Sequence, residues 1–249
     1  MRLVGGISVP LANAYGWKGA LFVWIALAVP ALILWLSNAD MTLASSHSGE
    51  RGAVIKDPMA WQISLYMAVC SMMYYCFVAW FDTILQSFGF DKASAGYYNS
   101  LYLLFGIPGS ILIPILAGKK KNQSALGIGL GLAFTVGLTA MMFAGNYACF
   151  LISLICCGFC SGACFAFAMA LFGLHTDNAA DTSALSGMAQ SVGYILASVG
   201  PMLLGEIFDL SGHWTIPIIV LIALALILTW LGYLVGRERI IAASESTAD

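Results

Sequence analysis

Residues 210–236 read LSGHWTIPIIVLIALALILTWLGYLVG, a run without a single Asp, Glu, Lys or Arg. Roughly 20 apolar residues at about 1.5 Å of rise each cross about 30 Å of hydrocarbon, so this run is long enough to span a bilayer. The apolar residues follow one another without alternation, which excludes a membrane β-strand. A segment in lipid must satisfy its backbone N–H and C=O groups internally, and that leaves a helix. Moving outward, residues 19–39, 58–81, 93–118, 122–176 and 182–205 are equally free of charge. The longest, 122–176, breaks near Ala144-Gly145-Asn146-Tyr147 and holds two crossings. Hydrophobic residues are 61% of the chain and charged ones 9%. A soluble domain carries roughly 25% charged residues, so a water-facing surface is excluded.

The expected helices cover 19–37, 60–81, 95–117, 124–144, 147–173, 184–206 and 215–236, preceded by a stub over 3–15. The polar stretch 38–58, with Ser45-Ser46-His47-Ser48-Gly49-Glu50-Arg51, reads as a linker loop. Placing it in the cytoplasm puts Arg51, Lys56, Lys119, Lys120, Lys121, Arg237 and Arg239 on that side, against Lys18 and Lys92 opposite. The positive-inside rule favours this orientation and a cytoplasmic tail over 237–249. No signal peptide is evident before Lys18. The seven cysteines all lie in apolar runs, where a disulfide framework has no place. Net charge is −2, and the only basic stretch is Lys119-Lys120-Lys121, so nothing points to nucleic acid.

A repeat sits within this layout. Asn13-Ala14-Tyr15-Gly16-Trp17 with Ile25-Ala26-Leu27-Ala28 is echoed by Ser211-Gly212-His213-Trp214 with Ile222-Ala223-Leu224-Ala225, about 197 residues later. Both copies cross in the same direction. Parallel repeats of six-helix halves are one plan of secondary transporters. On that plan residues 1–37 end an N-terminal half (a partial fifth helix and the sixth), 38–58 is the central loop and 59–236 is a C-terminal half. The missing N-terminal helices are expected in cis or in trans.

Ala184-Leu185-Ser186-Gly187-Met188-Ala189-Gln190-Ser191-Val192-Gly193-Tyr194, ending in Gly200-Pro201, resembles the eleventh-helix signature of the cyanate permease and nitroimidazole transporter branch of the major facilitator superfamily. Ala79-Trp80-Phe81-Asp82-Thr83-Ile84-Leu85 is similar to that branch's seventh-helix exit. Gly106-Ile107-Pro108-Gly109-Ser110 resembles its eighth helix, and Leu171-Phe172-Gly173-Leu174 the end of its tenth. Asp82 departs from the pattern by standing where proline is usual. The resemblance implies an all-α, polytopic fold in the plasma (inner) membrane. It also implies alternating-access transport of a small solute, cyanate-like or another small anion, with no cofactor.

Candidate site residues follow from membrane depth. Gln190 and Tyr194 share a face at i and i+4, with Ser191 beside them, and an amide with a phenol can hydrogen-bond a small solute. Tyr74 and Tyr75, and Asn99 and Tyr102, supply similar groups on two other helices. Such groups equally bond neighbouring helices, and Trp80, Tyr97 and Tyr98 suit the interfacial aromatic belt. Through the repeat, Arg2 pairs with about Ser198, roughly 12 Å inside the outer helix end, where a cation marks an anion path or a frayed terminus. Glu206 and Asp82, near outer helix ends, are candidates for ion coupling or plain solvated carboxylates. Lys119–Lys121 fit a gating loop, a topology determinant or a lipid-headgroup contact. Cys156, Cys160 and Cys164 recur on one face without His or carboxylate, which suits packing better than a metal. Gly158 and Gly162 form a G-x-x-x-G contact, and Gly106, Pro108, Gly109, Gly127, Gly129 and Gly131 mark kinks, tight crossings or flexible points.

Three function classes remain open. A secondary transporter fits best, and no nucleotide-binding motif is present to drive transport with ATP. A membrane enzyme or electron carrier would need histidines at membrane depth, whereas His47, His175 and His213 read as loop residues. A transport-incompetent fragment, or half of a split transporter, is the third.

Overall fold

The computed structural model describes residues 2–37 and 51–241; most of the linker reading, the acidic tail beyond 241 and the side chain of Arg2 lie outside the described residues. The chain divides into two compact units, residues 1–48 and 49–249. In the first, α1 runs Arg2–Ser37, with its helical path broken at Gly16 (φ 72°, ψ 170°). That combination is open essentially to glycine alone. The break falls between the expected stub and the expected 19–37 helix.

In the second unit a short helix, α2 (Arg51–Lys56), precedes α3 (Pro58–Ser87), α4 (Lys92–Gly118), α5 (Ser124–Met141), α6 (Tyr147–Leu174), α7 (Ala179–Ser211) and α8 (Thr215–Val235). These last six are each long and apolar enough to cross a membrane. Residues 51–56 were expected as loop. They are helical, with Val54 buried and the Ile55 carbonyl accepting from Trp61 Nε1 at 2.9 Å. α3, α4 and α7 also outrun the charge-free windows, α7 by three residues at its start and six at its end. The windows mark the hydrocarbon, whereas helices continue until a cap stops them. Asp57 caps α3 by accepting from the Met59 N–H at 2.7 Å, with Pro58 in the first turn. Asn146 caps α6 through the Ala148 N–H, and Asn178 caps α7 through the Asp181 N–H. Each side-chain oxygen takes up a donor that the first turn leaves without a helical partner. Gly212, at φ 72°, closes α7 in the left-handed conformation, its N–H donating to the Phe208 carbonyl at 2.8 Å.

Within this unit the most extensive contacts pair α4 with α6, α3 with α7, and α5 with both α8 and α6. Small residues set those crossings. A Cβ added to Gly162 would lie 2.1 Å from the Gly106 carbonyl oxygen, and one on Gly127 would lie 2.3 Å from the Gly232 carbonyl oxygen. Backbone therefore meets backbone, which only glycine at these positions allows. The G-x-x-x-G pair on α6 thus makes the close contact expected of it. Gly129 has nothing within 4 Å of such a Cβ and sets no crossing.

The interior is mostly apolar. Phe77, Phe81, Tyr102 and Phe134 form a buried aromatic cluster, with Phe77 and Tyr102 stacked at 5.2 Å. Exposed on α4 are Ile107, Ile111 and Ile115, and on α7 Ile195, Met202 and Leu203. Such continuous apolar faces suit hydrocarbon and not water. One end of the unit gathers Asp57, Lys119–Lys121, His175 and Arg239; the other gathers Trp80, Trp214 and Phe208.

Candidate functional site

A cavity of about 450 Å³ opens between α3 and α7, lined by Tyr75, Val78, Ala79, Tyr194, Ala197, Ser198 and Pro201. The lining lies around the middle of α3 and in the central part of α7. The repeating small residues Ala79, Ala197 and Ser198 leave the space that the two tyrosines flank. Tyr75 and Tyr194 stand edge to face, their ring centroids 6.3 Å apart, and Tyr74 meets Tyr75 the same way at 5.5 Å. An edge-to-face pair presents both a ring face and a ring edge, so it can receive a flat solute from two sides. The polar groups offered are phenol hydroxyls and the Ser198 hydroxyl, the latter donating to the Ile195 carbonyl at 2.8 Å. Among the described residues no cation lines the cavity.

Other candidates fall elsewhere. Gln190, one turn before Tyr194, donates Nε2 to Ser186 Oγ at 2.8 Å, so its partner lies on its own helix. Ser191 is exposed on α7. Tyr102 is fully buried in the aromatic cluster and does not line the cavity; its hydroxyl has no hydrogen-bond partner. Asn99 is half-buried on α4, with Oδ1 enclosed and without a partner. Asp82 is half-buried, and its Oδ1 is likewise enclosed and without a partner. Because α3 continues to Ser87, Asp82 lies more than a turn inside the helix and not at its end. Glu206 is exposed near the end of α7. Lys119, Lys120 and Lys121 are exposed at the far end of the unit.

Two residues play parts that sequence reasoning missed. Trp80, assigned to the interfacial belt, ties two helices: its Nε1 donates to the Pro201 carbonyl at 2.8 Å. The Trp80 ring fills the space Gly205 leaves, where an added Cβ would lie 2.7 Å from it. This tie borders the cavity at Pro201. His175, read as a loop residue, is 1% exposed. Its ring nitrogens face the Val235 carbonyl at 2.8 Å and the Arg239 carbonyl. A Trp seven residues before a helix end gives no sequence sign of a carbonyl on another helix, and neither does a His after one. Among the described residues no cluster of His, Cys, Asp or Glu is arranged to hold a metal, and all seven cysteines are free.

Comparison with known proteins agrees with this architecture. The description of the Major Facilitator Superfamily matches residues 3–198. The chain is 37% identical to an uncharacterized transporter of Bacillus subtilis (strain 168), over 98% of this chain and 61% of that protein. It is 35% identical to the 2-nitroimidazole transporter of Escherichia coli (strain K12), over 93% of this chain and 60% of that protein. It is 27% identical to the cyanate transport protein of the same organism, over 80% and 52%. The chain thus spans about 60% of the length of the first two. Helical architecture, the helix-eleven signature and these matches agree: the chain belongs to the major facilitator superfamily, in the branch that holds the nitroimidazole and cyanate transporters.

Proposed function

We propose that this chain supplies the C-terminal wall of a secondary transporter for a small solute, and that the cavity between α3 and α7 is its solute contact surface. The observation that carries the reading is the position of that cavity: Tyr75 and Tyr194 meet near the middle of two membrane helices. Alternating-access transporters hold their solutes near the bilayer midplane. The aromatic lining, and the relatives' named solutes, 2-nitroimidazole and cyanate, support a small, flat solute. Arg2 stays a candidate for recognising an anion through the sequence repeat that pairs it with about Ser198. Tyr74, Gln190 and Ser191 then act next to the solute-contacting pair, as packing or as second contacts, whereas Asn99 and Tyr102 are proposed to act in helix packing away from the cavity.

Asp82 is the proposed coupling carboxylate, because one of its oxygens is enclosed without a partner inside a membrane helix. Glu206, exposed, is the weaker candidate. The lysine turn 119–121 is the proposed cytoplasmic gate element, and the seven-to-two distribution of basic residues supports a C-terminus in the cytoplasm. Residues 1–37 are proposed as the end of the N-terminal half, with the remaining helices supplied in cis or in trans. The match to only about 60% of two relatives supports one further reading, half of a split transporter or a fragment that does not transport alone.

Uptake of labelled 2-nitroimidazole and cyanate into proteoliposomes, with and without an imposed proton gradient, tests both readings. Uptake by this chain together with the missing helices, and none by this chain alone, is expected. Absence of uptake across a broad panel of small neutral and anionic solutes in the completed protein would overturn the transporter reading.

A further inference from the structure

Far from the cavity, a crevice of about 300 Å³ lies at the end of the unit where α4 and α8 finish, lined by Lys119, Lys120, Lys121, Gln123, His175 and Arg239. We propose that this crevice binds the headgroup of an anionic phospholipid, with an acyl chain running down the exposed side of α4. Glu238 is the only carboxylate in the lining, and Arg239 is engaged with Asp57 at 3.2 Å. None of the three lysines has a carboxylate within ion-pair distance among the described residues. The crevice therefore holds uncompensated positive charge, and a phosphodiester supplies what it lacks.

Both walls are fixed from beneath. Gln123, 4% exposed, donates Nε2 to the Ala117 and Lys120 carbonyls and its backbone N–H to the Gly236 carbonyl at 2.7 Å. The turn that carries the lysines is thereby held in one shape. Opposite, the buried His175 ring faces the Val235 and Arg239 carbonyls, and the Ile241 N–H donates to the His175 carbonyl at 2.8 Å. A site organised before its ligand arrives loses less freedom on binding.

Two observations select a lipid over a dissolved anion. The crevice begins directly after Gly118 and Val235, the last residues of two membrane-length helices, and so lies at headgroup depth. Ile111 and Ile115, 62% and 52% exposed, lie at i and i+4 on α4, and Lys119 follows at the next such step. That stripe gives an acyl chain an apolar track ending at the charge.

The test is binding by the purified protein, read by native mass spectrometry, with phosphatidylglycerol, phosphatidylcholine and inorganic phosphate as separate probes. A membrane-adjacent lysine contributes about five-fold in affinity for an anionic lipid, on the order of a hundred-fold for three. Wild-type protein should retain phosphatidylglycerol at least ten-fold better than phosphatidylcholine, and K119Q/K120Q/K121Q should lose that preference. R237Q should keep it, because Arg237 lies over the Tyr233 ring and outside the crevice. Should the triple variant not fold, each single Lys→Gln variant is expected to lose about five-fold. Equal retention of the two lipids, or an undiminished preference in the lysine variants, would overturn the proposal. Inorganic phosphate displacing phosphatidylglycerol at equal concentration would overturn the lipid as the source of the anion.

Discussion

At the scale of single residues, the pairing of Tyr75 with Tyr194 is the contact on which solute recognition is proposed to turn. An aromatic pair contributes about 0.5–1.5 kcal/mol beyond its area, which corresponds to roughly two- to ten-fold in affinity. Tyr194→Ala is therefore expected to raise the KM for uptake several-fold in the completed transporter, whereas Tyr194→Phe should retain most of the affinity if ring contact dominates. Gln190 and Tyr194 were both legible in the sequence, but only one of them reaches the cavity. Helical spacing places residues on a face, and it is blind to a partner such as Ser186 that occupies the amide first. Val78, Ala79 and Ala197 carry no chemistry of their own and were invisible for that reason.

Asp91 gives a residue-scale prediction outside the membrane. Hydrogen bonds from the Ser94 side chain and backbone N–H, with a further one from the Ala93 N–H, hold its carboxyl below the usual carboxylate range. These bonds favour the ionised form, so the folded value is depressed. The stabilisation is complete above the unfolded value, about 3.9, and is lost as pH falls through the lower folded value. Asp91→Ala should unfold at a lower temperature than wild type at neutral pH, and the gap should close on acidification below about pH 4.

At the scale of helices, composition made every crossing of the second unit legible, because charge cannot be placed in hydrocarbon without a strong reason. The ends were less legible, since Asp57, Asp91 and Asn178 act as caps beyond the apolar windows, whereas the start of α6 after Asn146 was read correctly. Pairing between helices was legible only where glycines repeat at helical spacing, as at Gly158 and Gly162. Gly162→Ala must push α4 and α6 apart, at a cost of about 1–3 kcal/mol. Gly129→Ala meets nothing, and should be neutral or stabilising by up to about 1 kcal/mol. Denaturant titration of both variants in one detergent separates the two outcomes. Equal behaviour would show that glycine acts through helix propensity and not through backbone approach.

At the scale of the whole second unit, the segment after α8 binds helices that are distant in sequence. Gly236 accepts from Gln123, Arg239 pairs with Asp57, and His175 reaches Val235 and Arg239. Nothing in the residues 236–241 announces this, because the contacts are made largely by backbone carbonyls that every sequence possesses. His175→Ala removes a ring N–H that serves one of these carbonyls, at about 1–3 kcal/mol if that carbonyl stays buried. Protease digestion is expected to cut near residues 236–241 faster in that variant, with uncut α3–α7 core.

The glycine crossings bear on mechanics. Contacts of backbone on backbone, at Gly106 with Gly162 and at Gly127 with Gly232, have no side chains that can re-register by rotamer changes when one helix slides along another. Such pairs resist shear, and of the kinks, tight crossings or flexible points expected at Gly106 and Gly127, it is the tight crossings that form. A body jointed that way transmits torque without absorbing it, so the displacement of a transport cycle has to be taken up at its edges.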